Sequence, residues 1–267
     1  MGTGKDIPPV SPELMQQIMA RIQKPQAGKG KAWQKVAEAA AESLGSDWIV
    51  TGSRMKTSLV RTPIRWWYQA IGFAPSTVNG QLGMEYQPLV RPIRAGILGH
   101  HGGIRQSEYP LPFQRQSPNF RADAPREIPV FDTDAAVDTV IWWATGPAKE
   151  IIEWQTDRQW ADRDEKAYAT RTPSVRPIVW TALPGWRVLF DTGSPLPIID
   201  SIITELIDGE GLYDEERDFW MQFRELAAAE GDRAVMLRFL DEQRRRSLIE
   251  HCGVPESAIA DVLTEQD

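Results

Sequence analysis

The chain has 267 residues, with 30 Lys and Arg against 37 Asp and Glu and a formal net charge of −7. A chain of this length can bury a core without a disulfide or metal staple, and Cys252 as the only cysteine excludes an intramolecular disulfide and a cysteine-based zinc cluster. No apolar run approaches the ~20 residues of a membrane-crossing helix, and residues 1–10 are polar with no signal-peptide core, so a soluble, cytoplasmic protein is expected.

In chain order, residues 1–10 read as a lead without periodic structure. Ser11 and Pro12 fit the start of a helix over 12–24, with Leu14, Ile18, Met19 and Ile22 at helical spacing. A Gly/Lys linker, 25–31, precedes a second helix over 32–44. Its stripe is Trp33, Val36, Ala40 and Leu44, and its stop is Gly45. Two β-type runs, 48–51 and 57–60, flank a Gly-Ser turn and predict a hairpin. Thr62-Pro63 predicts a short helix with Ile64, Trp67 and Ile71 on its apolar face, closed by Gly72. Residues 73–127 have no clean period. Proline and glycine recur there, as in a binding loop or partner arm, with a short extended piece near 89–98. Strands are expected at 128–131 and 139–143, then a helix from Gly146-Pro147 carrying Ile151, Ile152 and Trp154. Two more strands, 175–181 and 186–190, are expected to pair through Leu183-Pro184-Gly185. Beyond Ser194 the pattern is helical. One helix carries Ile198, Ile199, Ile202, Ile203, Leu206 and Ile207, one starts at Asp214, one is capped by Asp232, and Pro255 opens a short last one.

The expected fold class is therefore α+β: a small mixed or antiparallel sheet with flanking helices and a long irregular basic segment, 50–126, followed by an acidic C-terminal helical bundle. This divides the chain into an α+β part, 1–195, and an acidic helical part, 196–267.

Charge is segregated between these parts. Residues 50–126 hold ten cations and three anions, 10 − 3 = +7, whereas 196–267 hold 18 acids and 7 bases, 7 − 18 = −11. Arginine pairs bidentately with phosphate, and aromatics stack on unpaired bases. The expected nucleic-acid contacts are Arg61, Arg65, Arg91, Arg94, Arg105, Arg115 and Arg121 to phosphate, with Trp66, Tyr86 and Tyr109 for stacking. Arginines scattered over loops suit a single strand or RNA better than a duplex groove. The competing reading is internal neutralisation, the acidic segment docking on the basic one.

In the loop Gly99-His100-His101-Gly102-Gly103, the pair His100 and His101 beside Arg105 favours phosphate contact over hydrolysis. Neighbouring histidines rarely chelate one ion together, so no metal and no cofactor is expected. Gly2-Thr3-Gly4-Lys5 and Gly28-Lys29-Gly30-Lys31 lack the spacing and the Ser/Thr of a phosphate-binding loop. The cations Arg244, Arg245 and Arg246 sit late in a helix, where the dipole favours them.

One motif points to an enzyme. Phe131-Asp132-Thr133-Asp134 follows a β-type run, and Thr145 closes the next. The pattern resembles the first two motifs of haloacid dehalogenase-type phosphatases. That resemblance implies Asp132 as nucleophile, Asp134 as second carboxylate and a Mg²⁺ ion for phosphoryl transfer. The chain departs from the family in the turn after Asp134, in the short gap to Thr145 and in the absence of a paired acidic motif downstream.

The first expectation is thus a non-enzymatic subunit binding nucleic acid, single-stranded or RNA, within a larger nucleoprotein assembly. Beside it stand an assembly protein that binds other protein subunits through the Pro/Trp-rich arm, and the phosphoryl-transfer enzyme using Asp132 and Asp134.

Overall fold

The computed structural model describes residues 28–75, 80–92, 127–146, 149, 156–170, 180–207, 214–229 and 231–263. The fold is α+β. An antiparallel sheet in the order β1-β2-β3-β4-β5 is covered by helices on both faces. Among the described residues no helix is long and apolar enough to cross a membrane. The expected helix over 12–24 lies outside the described residues.

Helix α1, Lys29–Leu44, starts earlier than its apolar stripe. Trp33, Val36, Ala37 and Ala40 all lie on one face and are fully buried, which is why this stretch is helical. The Trp33 ring stacks on Phe73 at 5.4 Å, and its indole N–H donates to the Thr57 carbonyl at 2.8 Å. Strands β1, Trp48–Thr51, and β2, Ser58–Arg61, pair from Trp48↔Arg61 to Thr51↔Ser58. Gly52 lets the hairpin turn. It sits at φ 72, and a Cβ there would fall 2.2 Å from the Lys56 carbonyl oxygen.

Beyond the hairpin the expected helix at 62–72 is not formed. The chain instead enters β3, Trp67–Pro75, which pairs along its length with β4, Gly80–Pro88. Ile64, Trp67 and Ile71 fit a helical face, but the same run also alternates. Tyr68 and Ala70 face one side of the sheet, Ile71 and Phe73 the other. Both periods are present in a short aromatic run, and pairing with β2 and β4 selects the strand. Strand β5, Glu127–Ile128, is shorter than the expected 128–131 and pairs with the start of β4.

Helix α2, Thr133–Thr145, replaces the strand expected at 139–143. Ala136, Val140 and Ala144 recur every fourth residue and pack with α1 on the sheet. Thr-Val-Ile-Trp-Trp has strand propensity, but this burial and the Asp132 cap override it. Asp132 accepts from the Ala135 N–H at 3.3 Å, and Thr145 ends the helix with its hydroxyl on the Ile141 carbonyl at 2.8 Å. The strand-borne Asp132–Asp134 pattern of the phosphatase resemblance is therefore not what this segment builds. Helix α3, Asp157–Ala169, begins with its own capping box of Thr156 and Gln159.

Helix α4, Leu183–Phe190, occupies the place of the second expected hairpin, whose first strand falls largely outside the described residues. Leu183-Pro184-Gly185 reads as a turn, yet proline is also at home in a first helical turn. A Cβ on Gly185 would lie 2.2 Å from the Val90 carbonyl oxygen, so only glycine lets α4 approach so closely. Helices α5, Leu196–Ile202, α6, Asp214–Ala228, and α7, Arg233–Glu250, follow, with a π-helical turn, Ile203–Ile207, after α5 and a 3₁₀ turn, Glu256–Ala258, near the end. One apolar cluster joins these helices to Trp66, Val90, Trp180, Trp186 and Val188, so this core takes in residues from both sides of position 195.

Arg244 locks the C-terminal helices to the sheet. Its guanidinium is 1 % exposed and donates to the carbonyls of Ile64 at 2.9 Å, Arg65 at 2.8 Å and Ala260 at 2.8 Å, and to Asp241. Burial pulls its pKa down, and the Asp241 carboxylate opposes this. The expected helix-end placement does not hold, since α7 runs on to Glu250 with no basic residue in its last turn; the Arg244 guanidinium instead joins three carbonyls of two backbone segments.

Candidate nucleic-acid interface

Of the residues expected to bind phosphate and bases, Arg61, Arg65, Trp66, Tyr86 and Arg91 are among the described ones. Arg61 ends β2, half-buried and opposite Trp48. Arg65 is exposed between β2 and β3, with its charge acting on Asp157 of α3. Trp66 is not a stacking platform: it is 5 % exposed, inside the core, with the Arg244 guanidinium 5.3 Å from its ring centroid. Tyr86 lies on β4 opposite Gln69. Arg91 is half-buried, and its guanidinium donates to the Thr181 hydroxyl at 2.5 Å. Arg94, His100, His101, Arg105, Tyr109, Arg115 and Arg121 lie outside the described residues.

What the fold does gather is a different set of cations. The start of α1 packs on the tip of the β1–β2 hairpin. The Arg54 N–H donates to Gln34 Oε1 at 3.1 Å, and a Cβ on Gly30 would meet Met55 N at 2.9 Å and Arg54 C at 3.2 Å. Glycine at position 30 therefore permits this contact. Lys31 and Lys35, four residues apart on the solvent side of α1, and Arg54 and Lys56 of the tip are all exposed, on two elements in contact. Gly28 precedes α1 in a left-handed conformation, φ 92, with no side-chain cap on the first-turn N–H groups. The Phe131 ring lies 3.8 Å from the position a Gly28 Cβ would take. Phe131 is 65 % exposed. The patch is bounded by Glu38, held by Gln34 Nε2 at 2.9 Å, and by Asp132 and Asp134 at the start of α2.

A reading of the Gly28–Lys31 stretch as linker hid this patch. The available signal was local: Lys31 and Lys35 flank the Trp33–Val36 stripe on the opposite helix face. Their meeting with Arg54 and Lys56 has no local signal.

Asp200 pairs with Arg224 at 2.6 Å, and Asp241 pairs with Arg244 and Arg245, cations of the same acidic segment. Arg244 of that segment also donates to the carbonyls of Ile64 and Arg65.

Helix α3 carries a half-buried carboxylate, Asp157, and a buried one, Asp164. Asp157 accepts from the Trp67 indole at 2.6 Å, and Trp67 lies 5.2 Å from Trp160 and 5.6 Å from Trp186 between ring centroids. Burial raises the Asp157 pKa against the Trp67 hydrogen bond and the Arg65 charge. Asp164, two helical turns on, is 4 % exposed. Burial pushes its carboxyl up to about 6, opposed by the charges of Arg163 and Arg91 and by the Trp186 indole. Trp186 Nε1 is directed at this carboxylate, but neither it nor Asp164 Oδ1 closes a hydrogen bond of normal geometry. Arg163 Nη2 stands 3.6 Å from Asp164 Oδ1, with its guanidinium 3.6 Å over the Trp160 ring centroid. On the solvent side Arg187 clamps Glu165 with two bonds of 2.6 and 2.8 Å. These contacts tie α3 to α4 and to β3; they place Trp67, Trp160 and Trp186 in packing, with Trp67 an indole donor.

Comparison of the chain with protein-family models, with curated proteins and with solved structures finds no match.

Proposed function

We propose that the chain is a non-enzymatic subunit or accessory protein of a cytoplasmic nucleoprotein assembly, binding an anionic partner, nucleic acid first. The observation that carries this reading is the exposed cluster of Lys31, Lys35, Arg54 and Lys56 on two packed elements. Cations held by a helix start and a hairpin tip need little ordering on binding, so phosphate contact there costs less entropy than on a free tail. The +7 balance of residues 50–126 supports the same sign of partner. Arg61 and Arg65 extend the contact surface in this reading, and Arg91, occupied by Thr181, serves the fold.

The test is fluorescence anisotropy with labelled single-stranded DNA, single-stranded RNA and duplex at two salt concentrations. Affinity should fall steeply with salt, and the Arg54→Glu, Lys56→Glu double variant should lose binding at unchanged thermal stability. Absence of binding to all three nucleic acids at low salt would overturn the reading.

A further inference from the structure

We infer that the surface takes single-stranded nucleic acid, with Phe131 as the platform on which one unpaired base stacks and with Lys31, Lys35, Arg54 and Lys56 holding the phosphates beside it. This rests on the function just proposed and adds to it the strandedness, the residue and the path.

Phe131 is the most exposed of the large apolar side chains described, well ahead of Ile249, Met221 and Trp142. Its exposure is built in. The preceding residues Ile128 and Val130 are buried in the sheet–helix core, and the turn is closed by the Val130 N–H on the Ile128 carbonyl at 2.9 Å and the Asp132 N–H on the Pro129 carbonyl at 2.7 Å. Asp132 then caps α2. The ring is thus held outward by pinned neighbours on both sides. A flat apolar face fixed in water, against the start of the helix that carries Lys31 and Lys35 and packs on the tip with Arg54 and Lys56, suits a nucleotide: the base covers the ring and the phosphates meet the charge. In a duplex each base face is already covered by its neighbours, so an exposed ring on a turn gains nothing from it. The acids give the path a direction. Asp132 and Asp134 repel phosphate on the α2 side of Phe131, which leaves the route over Gly28 and Lys31 toward Arg54 and Lys56.

The experiment compares wild type, Phe131→Ala and Phe131→Trp on labelled single-stranded oligonucleotides and on duplex, each across a salt series. Phe131→Ala should weaken single-strand binding by about 5- to 150-fold, the range expected for one base–aromatic stack. The slope of affinity against salt should not change, because no phosphate contact is lost. Phe131→Trp should restore affinity, and duplex binding should respond to neither. Photo-crosslinking to a 4-thiouridine-bearing strand should place the adduct on Phe131. If Phe131→Ala binds like wild type, or the adduct maps elsewhere, while the Arg54→Glu, Lys56→Glu variant still loses binding, this inference fails and the anionic-partner reading stands. If wild type binds no nucleic acid at low salt, both fail.

Discussion

Asp164→Asn removes the one described carboxylate that burial holds up to about 6, and its consequence can be worked through. The ordinary value is 3.8, and at 1.36 kcal/mol per pH unit the difference makes the charged form about 3 kcal/mol less favourable in the folded chain than in the unfolded one. The folded-state value is the higher one. Between roughly pH 4 and 6 the native state therefore keeps a proton that the unfolded chain has released. The stabilising contribution of neutral Asp164 is fully present below that window and is lost as pH rises through about 6. Asparagine has nearly the same shape and no charge at any pH. The attraction of Arg163 and Arg91 for the carboxylate is already contained in the value of about 6, and Asp157 stays in both proteins, so its own raised pKa largely cancels. Urea unfolding followed by tryptophan fluorescence, at several pH values from roughly 4 to 7.5, reads the difference between the two proteins. The stabilities should converge at the acidic end, and the variant should gain about 2–3 kcal/mol at neutral pH. Parallel profiles would refute a buried, charge-penalised Asp164. A variant less stable at neutral pH would mean that pairing with Arg163 and Arg91 outweighs desolvation.

Two further changes probe the fold around the site. Arg244→Ala takes a donor from the carbonyls of Ile64, Arg65 and Ala260, leaving Ile64 the Ala260 N–H and Ala260 the long Arg245 bond, and leaves Asp241 buried with Arg245, so stability should drop by about 3–5 kcal/mol in the same urea assay. Arg244→Lys should recover little of it, because one ammonium cannot span three carbonyls and a carboxylate. Gly30→Ala puts a methyl 2.9 Å from Met55 N and must push the hairpin tip from α1. It should cost about 1–3 kcal/mol and weaken oligonucleotide binding although no charge changes. Wild-type affinity in a Gly30→Ala protein would show that the juxtaposition of helix start and tip is not what binds.

How much of this was legible beforehand follows from how far apart the deciding residues are. The helices 32–44, 214 onward and 233 onward announced themselves by stripes and caps within a few residues, and the 48–60 hairpin by two short runs about a turn. Where two periods fitted one run, the sequence was silent. Residues 67–73 became a strand because β2 and β4 were there to pair with, and 139–143 became helix because α1 offered a face for Ala136, Val140 and Ala144. Leu183-Pro184-Gly185 became a helix start because Val90 lies against Gly185. The candidate site divides the same way. Charge segregation, +7 against −11, is a sum over the sequence and needs no fold. Burial of Trp66, the engagement of Arg91 by Thr181, the contact of Gly30 and Gln34 with the hairpin tip and that of Gly28 with Phe131 depend on which distant segments pack together. The sequence by itself determined the charge segregation and the local helices, because charge and helical period are properties of neighbouring residues. Tertiary structure alone decided which cation-bearing elements pack together and which ring stays exposed, because that is set by contacts between segments far apart in the chain.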